Sequence, residues 1–189
     1  MHKVLVVGCG GSGAKTLAYM MDQLKTTLAE RLPERYDSPK DVDLPRAWQF
    51  VSVDVPTVAE RPGKNLANVP EAGGRYISCG SSDRYATVDT AVSNQLASRG
   101  ELGTIASWAL ENPAAETTPI SAGAGQYRSI GRMLFLSKLQ ETQQELKKSW
   151  DVLSGGETDR ELADLRSALY GRAEHSGESA KEQPLVFVV

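Results

Sequence analysis

Gly8, Gly10, Gly11 and Gly13 crowd into six positions directly behind the apolar run Val4-Leu5-Val6-Val7, with only Cys9 and Ser12 between them. The chemistry this spacing suits is anion binding. Glycine lets a backbone turn tightly and lie against a ligand with no Cβ in the way. The free N–H groups of such a turn, followed by a helix N-terminus, favour phosphate. Gly8, Gly10 and Gly13 fit the pattern G-x-G-x-x-G. A Walker A loop is excluded, because it needs Lys directly after its last glycine. Here Ala14 intervenes and Lys15 stands one place late. One residue on a helix turns a side chain by about 100°. A second chemical candidate is Asp54, a carboxylate ending the run Ala47–Asp54 and followed by Val55-Pro56-Thr57-Val58. A third is the turn Ser121-Ala122-Gly123-Ala124-Gly125-Gln126. Each lies after a predicted strand or just before a predicted helix, where an open α/β sheet gathers its ligand.

The elements that must position these groups follow from periodicity. Val4–Val7 reads as a strand covered on both faces. Leu17, Met21, Leu24, Leu28 and Leu32 recur at helical spacing, so a helix is expected over about 13–32, stopped by Pro33. Residues 33–46 hold three prolines and many charges and read as a surface connection. Trp48, Phe50, Val51 and Val53 give the second strand its β-favouring bulk. Residues 75–79 make a short third strand. Ser82 is placed to cap a helix running to Ser98, with Tyr85, Val88, Val92 and Leu96 inward. A short helix is expected over 101–111, and a longer one over 129–150 with Ile130, Met133, Leu134 and Leu139 inward. Ser154-Gly155-Gly156 breaks it, and Thr158 is placed to cap another. Residues 171–183 read as polar and flexible, and Pro184–Val189 as a last strand. Strands alternating with helices give an α/β class with a mostly parallel sheet.

Composition removes several function classes. The 189 residues suit a single domain or most of one. A net charge of −3 offers no basic footprint for nucleic acid. Cys9 and Cys79 make neither a disulfide framework nor a zinc site, so a reducing cytoplasm is the expected compartment. The start is too short in apolar residues for a signal peptide, and no run reaches the length of a membrane span. His2 and His175 have no metal or catalytic constellation around them. Trp48, Trp108 and Trp150 read as core or half-buried packing, and Arg128 and Arg132 as solvated helix charges, with Arg128 close enough to the third turn to assist it.

Val6-Val7-Gly8-Cys9-Gly10-Gly11-Ser12-Gly13 resembles the first nucleotide loop of the FtsZ/tubulin superfamily. Val53–Val58 resembles tubulin's second loop, with one residue fewer between aspartate and proline. Gly123-Ala124-Gly125, followed by Ile130-Gly131-Arg132, resembles FtsZ's third loop. Order and setting match those of a bacterial tubulin-like protein. The resemblance implies a Rossmann-like three-layer sandwich that binds GTP or GDP with Mg2+ and assembles head to tail into cytoskeletal filaments. It assigns Gly8, Cys9, Gly10, Gly11, Ser12 and Gly13 to the phosphates, Asp54 to the magnesium and phosphates, and Ala122, Gly123, Ala124, Gly125 and Gln126 to the terminal phosphate.

The departures shape the remaining expectations. Ala14 and Lys15 stand where FtsZ has asparagines, and Pro56 replaces an acidic residue of tubulin. Helical insertions are expected at about 82–112 and 151–180. The glycine-rich signature that follows the next strand in the family, and its catalytic acid-bearing loop, are not in this sequence. Residues 1–189 therefore read as the N-terminal portion of the nucleotide-binding domain, with a sheet incomplete at the C-terminus and little GTPase activity alone. Self-association, or a longer tubulin-like chain, would supply the missing loops. Two other readings stand beside this one. An NAD(P)- or ATP-binding Rossmann-type enzyme wants an acidic residue about 20 positions past the glycines, whereas Asp54 comes 41 after Gly13. A non-catalytic scaffold needs no ligand at all.

Overall fold

The computed structural model describes residues 1–171 and 183–189. The elements are β1 (Val4–Cys9), α1 (Gly10–Arg31), β2 (Trp48–Asp54), β3 (Arg75–Ser78), α2 (Tyr85–Ser98), α3 (Arg128–Ser137), α4 (Leu139–Ser154), α5 (Gly156–Tyr170) and β4 (Leu185–Val188). The four strands form one sheet in the order β3-β2-β1-β4, every pairing parallel. Val4 sits opposite both Trp48 and Leu185, and Asp54 opposite Ser78. This register brings the carboxyl ends of β1, β2 and β3 to one rim.

Alternation along the central strands sends side chains to two faces. Val6 and Phe50 pack with Leu17, Ala18 and Met21 of α1. Leu5, Val7, Val51, Val53 and Ile77 face the other way, onto Tyr85, Val88 and Val92 of α2, Ile130, Met133 and Leu134 of α3, and Leu153 of α4. Helices therefore cover both faces of the sheet, giving the three-layer α/β sandwich. Each fully buried aliphatic or aromatic side chain stabilises this arrangement by roughly 1.5–3 kcal/mol. β4 is an edge strand, and Leu185, Val186, Phe187 and Val188 are all exposed.

Several boundaries differ from expectation. α1 begins at Gly10, not Gly13, because Gly10 takes a φ of +70° that lets the turn itself become the helix start. The helix expected over 129–150 is two, α3 and α4, broken at Lys138, and Leu139 is exposed, not inward. The expected helix over 101–111 shrinks to one short 3-10 turn at Leu102–Thr104. Ser82 caps nothing: α2 starts at Tyr85, and the nearby local bond is Asp83 N–H donating to Ser81 Oγ. Thr158 lies inside α5, its hydroxyl donating to the Gly155 carbonyl at 2.7 Å, while Gly155 holds the cap position. Trp150 is exposed, not packed. The flexible stretch expected over 171–183, and His175 with it, falls chiefly on residues 172–182, outside the described residues.

The junction of β1 and α1 is the tightest contact that bears on the site. A Cβ on Gly8 would lie 2.7 Å from the Gly13 carbonyl carbon and 2.7 Å from Leu17 Cδ1. A Cβ on Gly13 would meet the Val189 carbonyl oxygen at 2.7 Å. Val189 is held there by its own N–H to Val7 O at 2.9 Å and by Cys9 N–H donating to its carbonyl at 2.8 Å. Gly8→Ala is therefore expected to lower the unfolding free energy by roughly 1–3 kcal/mol in urea denaturation. Gly63→Ala, whose Cβ would meet nothing within 4 Å, is expected to stay within about 0.5 kcal/mol of wild type. Equal effects at the two positions would contradict the close-approach reading.

Candidate functional site

The glycine turn, the end of β2 and the start of α3 border an open cavity of about 1000 Å³. Cys9, Gly10, Gly11 and Ser12 form one wall, Val53, Asp54 and Val55 the floor, and Ala124, Gln126, Tyr127, Arg128, Gly131 and Arg132 another wall. Cys79, Trp108, Phe135 and Leu136 complete it. A smaller cavity of about 300 Å³ shares Gly11, Ser12 and Asp54 with the first and adds Lys15, Glu60, Arg61 and Tyr76. Lys15 thus shares a cavity with Asp54, despite its misplaced register for a P-loop.

Asp54 is the side chain common to both spaces that carries charge. Its Oδ1 accepts the Val55 N–H at 2.7 Å, and its backbone carbonyl accepts the Cys79 N–H at 2.7 Å. Its other carboxylate oxygen points toward Gly11, 3.8 Å from where a Cβ there would sit. Burial pushes the Asp54 carboxyl above its ordinary value, and the Val55 N–H opposes that shift. Burial likewise pushes the Cys79 thiol up to about 11 and raises Cys9. A desolvated carboxylate with one oxygen uncommitted suits a hard cation that keeps its own waters, such as Mg2+. Among the described residues no group of three or more His, Cys, Asp or Glu is placed to hold a metal by itself. A magnesium ion here would need phosphate oxygens and water besides Asp54.

The third turn is built from unusual backbone. Gly123, Gly125 and Gln126 have φ of 158°, 58° and 69°. Gln126 is the one non-glycine residue with positive φ among those described, a strain that clusters at ligand sites. The turn is strapped to its neighbours: Thr57 N–H donates to Ser121 O at 2.9 Å and Ser81 N–H to Ile120 O at 3.3 Å. Tyr76 Oη donates to Pro56 O, tying β3 to the second loop.

The residues expected from sequence divide into two groups. Cys9, Gly10, Gly11, Ser12, Asp54, Ala124 and Gln126 line the larger cavity. Gly8, Gly13, Ala122, Gly123 and Gly125 do not; Gly8 and Gly13 allow the backbone approach, and Gly125 packs beside Thr118. Sequence reasoning missed Cys79, Trp108, Tyr127, Arg132 and Phe135 as wall residues. Arg128 and Arg132 carried a signal, since they follow the third turn at helical spacing. Trp108 carried none, because it comes from a segment without a motif; Arg132 lies over its ring at 5.6 Å to the centroid.

Fold and site together define an α/β Rossmann-like domain with its candidate site at the carboxyl ends of a parallel sheet. A family model described as tubulin-like matches residues 5–189, and the chain belongs to that tubulin-like family. The match does not single out FtsZ. No curated protein and no solved structure matches the chain. No helix among the described residues is long and apolar enough to cross a membrane.

The raised Asp54 pKa has a signed consequence. A carboxyl whose folded-state pKa exceeds its unfolded value costs stability as pH rises through the carboxylate range, and the whole cost is present above the folded pKa. Asn keeps an acceptor for the Val55 N–H and removes the charge. Asp54→Asn is expected to melt near wild type at pH about 4 and above it at pH 7. A lower melting temperature for the variant at pH 7, read by calorimetry, would contradict an uncompensated carboxylate.

Proposed function

We propose that this chain is the GTP- and GDP-binding part of a filament-forming, tubulin-like cytoskeletal protein of the cytoplasm. One observation carries the reading: segments as far apart in sequence as Cys9–Ser12, Asp54 and Ala124–Arg132 line a single cavity at the strand ends. The N–H groups of the glycine turn, together with the start of α1, would offset phosphate charge, a helix N-terminus being worth about half a positive charge. Asp54 would hold Mg2+ through its free oxygen or through a bound water, and that ion would draw charge from the phosphates. The choice of guanine rests on membership of the tubulin-like family.

Hydrolysis by this chain alone is a separate matter. Among the described residues Asp54 is the sole carboxylate on the wall of the larger cavity, and its place beside the glycine turn suits a metal ligand better than a base for water. The catalytic acid is supplied by a neighbouring copy or a longer tubulin-like chain, which fits self-association as the partner mode. The net charge of −3 gives nucleic acid no foothold.

Calorimetric titration of the 189-residue chain with GTP, GDP, ATP and NAD, with and without Mg2+, tests this. Saturable binding of GTP and GDP, weakened at least about tenfold by chelating Mg2+, is expected, with turnover near background. Preferential binding of NAD or ATP would move the chain to the Rossmann-type enzymes, and no binding would leave a scaffold.

A further inference from the structure

Three consecutive carbonyls, beginning with that of Asp54, are each taken by the end of β3 or the residue after it. The Cys79 N–H donates to Asp54 O at 2.7 Å, the Ser78 hydroxyl to Val55 O at 3.3 Å, and the Tyr76 hydroxyl to Pro56 O. The register explains how one short strand reaches so far. Ser52 pairs with Tyr76 and Asp54 with Ser78, so all four side chains leave the same face of the sheet. Tyr76, the longest of the four, runs along that face past Ser78 to a carbonyl two residues beyond Asp54. Behind Ser78 the chain closes in further: a Cβ on Gly80 would fall on Val55 O. The peptide planes that follow Asp54 are thereby fixed, and the first of them carries the Val55 N–H that donates to Asp54 Oδ1 at 2.7 Å. Tyr76, Ser52 and Asp54 line the smaller cavity together. Burial, and then the Asp54 charge, push the Tyr76 phenol above its ordinary value, so it stays a donor at neutral pH.

We propose that Tyr76 is a positioning residue: through the Pro56 carbonyl it holds the second loop so that Asp54 presents its uncommitted oxygen to a divalent cation. The inference rests on the nucleotide and magnesium reading above and adds a residue that belongs to none of the three loops. One Asp54 oxygen sits on the Val55 N–H and the other is directed at Gly11. Rotation of the peptide between Asp54 and Val55 would swing the first and so re-aim the second. The Ser78 strap resists this weakly, since its bond is long and its hydroxyl is shared with the Gly80 N–H. Pro56 has no N–H, so its carbonyl is its one backbone handle. Thr57 beyond it is held to the third turn instead, its N–H on Ser121 O at 2.9 Å. The Tyr76 hydroxyl is the bond that ties Pro56 to the sheet. Removing a partner one step behind a metal ligand commonly weakens metal binding by about 10–100-fold. Phenylalanine at this position keeps the ring and deletes that bond alone.

The test measures GDP affinity with Mg2+ and with a chelator, and Mn2+ affinity of the GDP complex by electron paramagnetic resonance. The 189-residue chain is compared with Tyr76→Phe, Asp54→Asn and Tyr85→Phe. Tyr85→Phe is the control for losing a phenol hydrogen bond as such, since that hydroxyl donates to Asp89 Oδ2 at 3.1 Å within α2. Tyr76→Phe is expected to lose about tenfold in Mn2+ affinity and most of the gain that Mg2+ gives GDP, while GDP affinity under chelation stays within about twofold of wild type. Tyr85→Phe is expected to melt lower and to keep its Mn2+ affinity. Unchanged Mn2+ affinity in Tyr76→Phe, or GDP binding that falls equally with and without Mg2+, overturns the proposal and leaves the nucleotide reading standing. An equal loss of Mn2+ affinity in Tyr85→Phe does the same. Should Tyr76→Phe fail to fold, Ser78→Ala decides: a loss of about threefold or more in Mn2+ affinity supports the strap, and no loss overturns it. A wild type indifferent to Mg2+, or Asp54→Asn with wild-type Mn2+ affinity, removes the magnesium reading and the proposal with it.

Discussion

Two glycines in backbone contact set the geometry on which the site depends. Gly8 ends the buried part of β1 and Gly13 lies in the first turn of α1, and neither has room for a Cβ against the other. The helix can therefore start almost on top of the strand end. That leaves the intervening Gly10, Gly11 and Ser12 facing the cavity instead of spanning a longer connection. The backbone cost at Gly10, with φ of +70°, is one that only glycine meets without strain. The Val189 carbonyl, held by the Cys9 N–H, closes the far side of the same contact, so the edge strand and the turn are mechanically one unit.

Around this fixed point main-chain bonds tie the other loops, with the Tyr76 hydroxyl on Pro56 O and the Ser78 hydroxyl on Val55 O beside them. Thr57 reaches Ser121, Ser81 reaches Ile120, and Cys79 reaches Asp54. Such main-chain bonds fix loop positions with little dependence on side-chain identity, and Asp54, Gln126, Arg128 and Arg132 line the cavity beside them. The charge distribution is lopsided in consequence. A desolvated carboxylate is held where burial disfavours its ionised form, and two guanidinium groups line the same space without a carboxylate partner among the described residues. An arrangement of this kind is improved by a ligand that is itself anionic and brings a divalent cation. Binding of the proposed nucleotide with its magnesium ion would relieve that mismatch.

The elements nearest the glycine turn were legible from sequence because their causes are local. An apolar run, a glycine cluster and a leucine stripe at helical spacing each act within a few residues, and β1, α1 and β2 follow them closely. The parallel sheet and the gathering of Asp54 with the glycine turn followed from the alternation of strands and helices. The failures share another cause. Lys138 interrupts a continuous helical pattern with no proline or glycine to announce it, and Ser82 and Thr158 are good capping residues whose neighbours chose other helix starts. Trp108 and Phe135 reach the cavity through tertiary packing, which leaves no mark on local spacing. The third turn was legible as a turn, but which of its residues face inward depends on three positive-φ positions in a row of four.

The central claim is that one bound polyphosphate touches all of these loops together. Backbone amide chemical shifts, followed while Mg2+ and GTP are titrated into the chain, test it most directly. The expected result is that Gly10, Gly11, Ser12, Val55, Ala124 and Arg128 shift in concert and saturate with one dissociation constant. Shifts confined to a single loop, or saturating at different concentrations in different loops, would contradict a shared site.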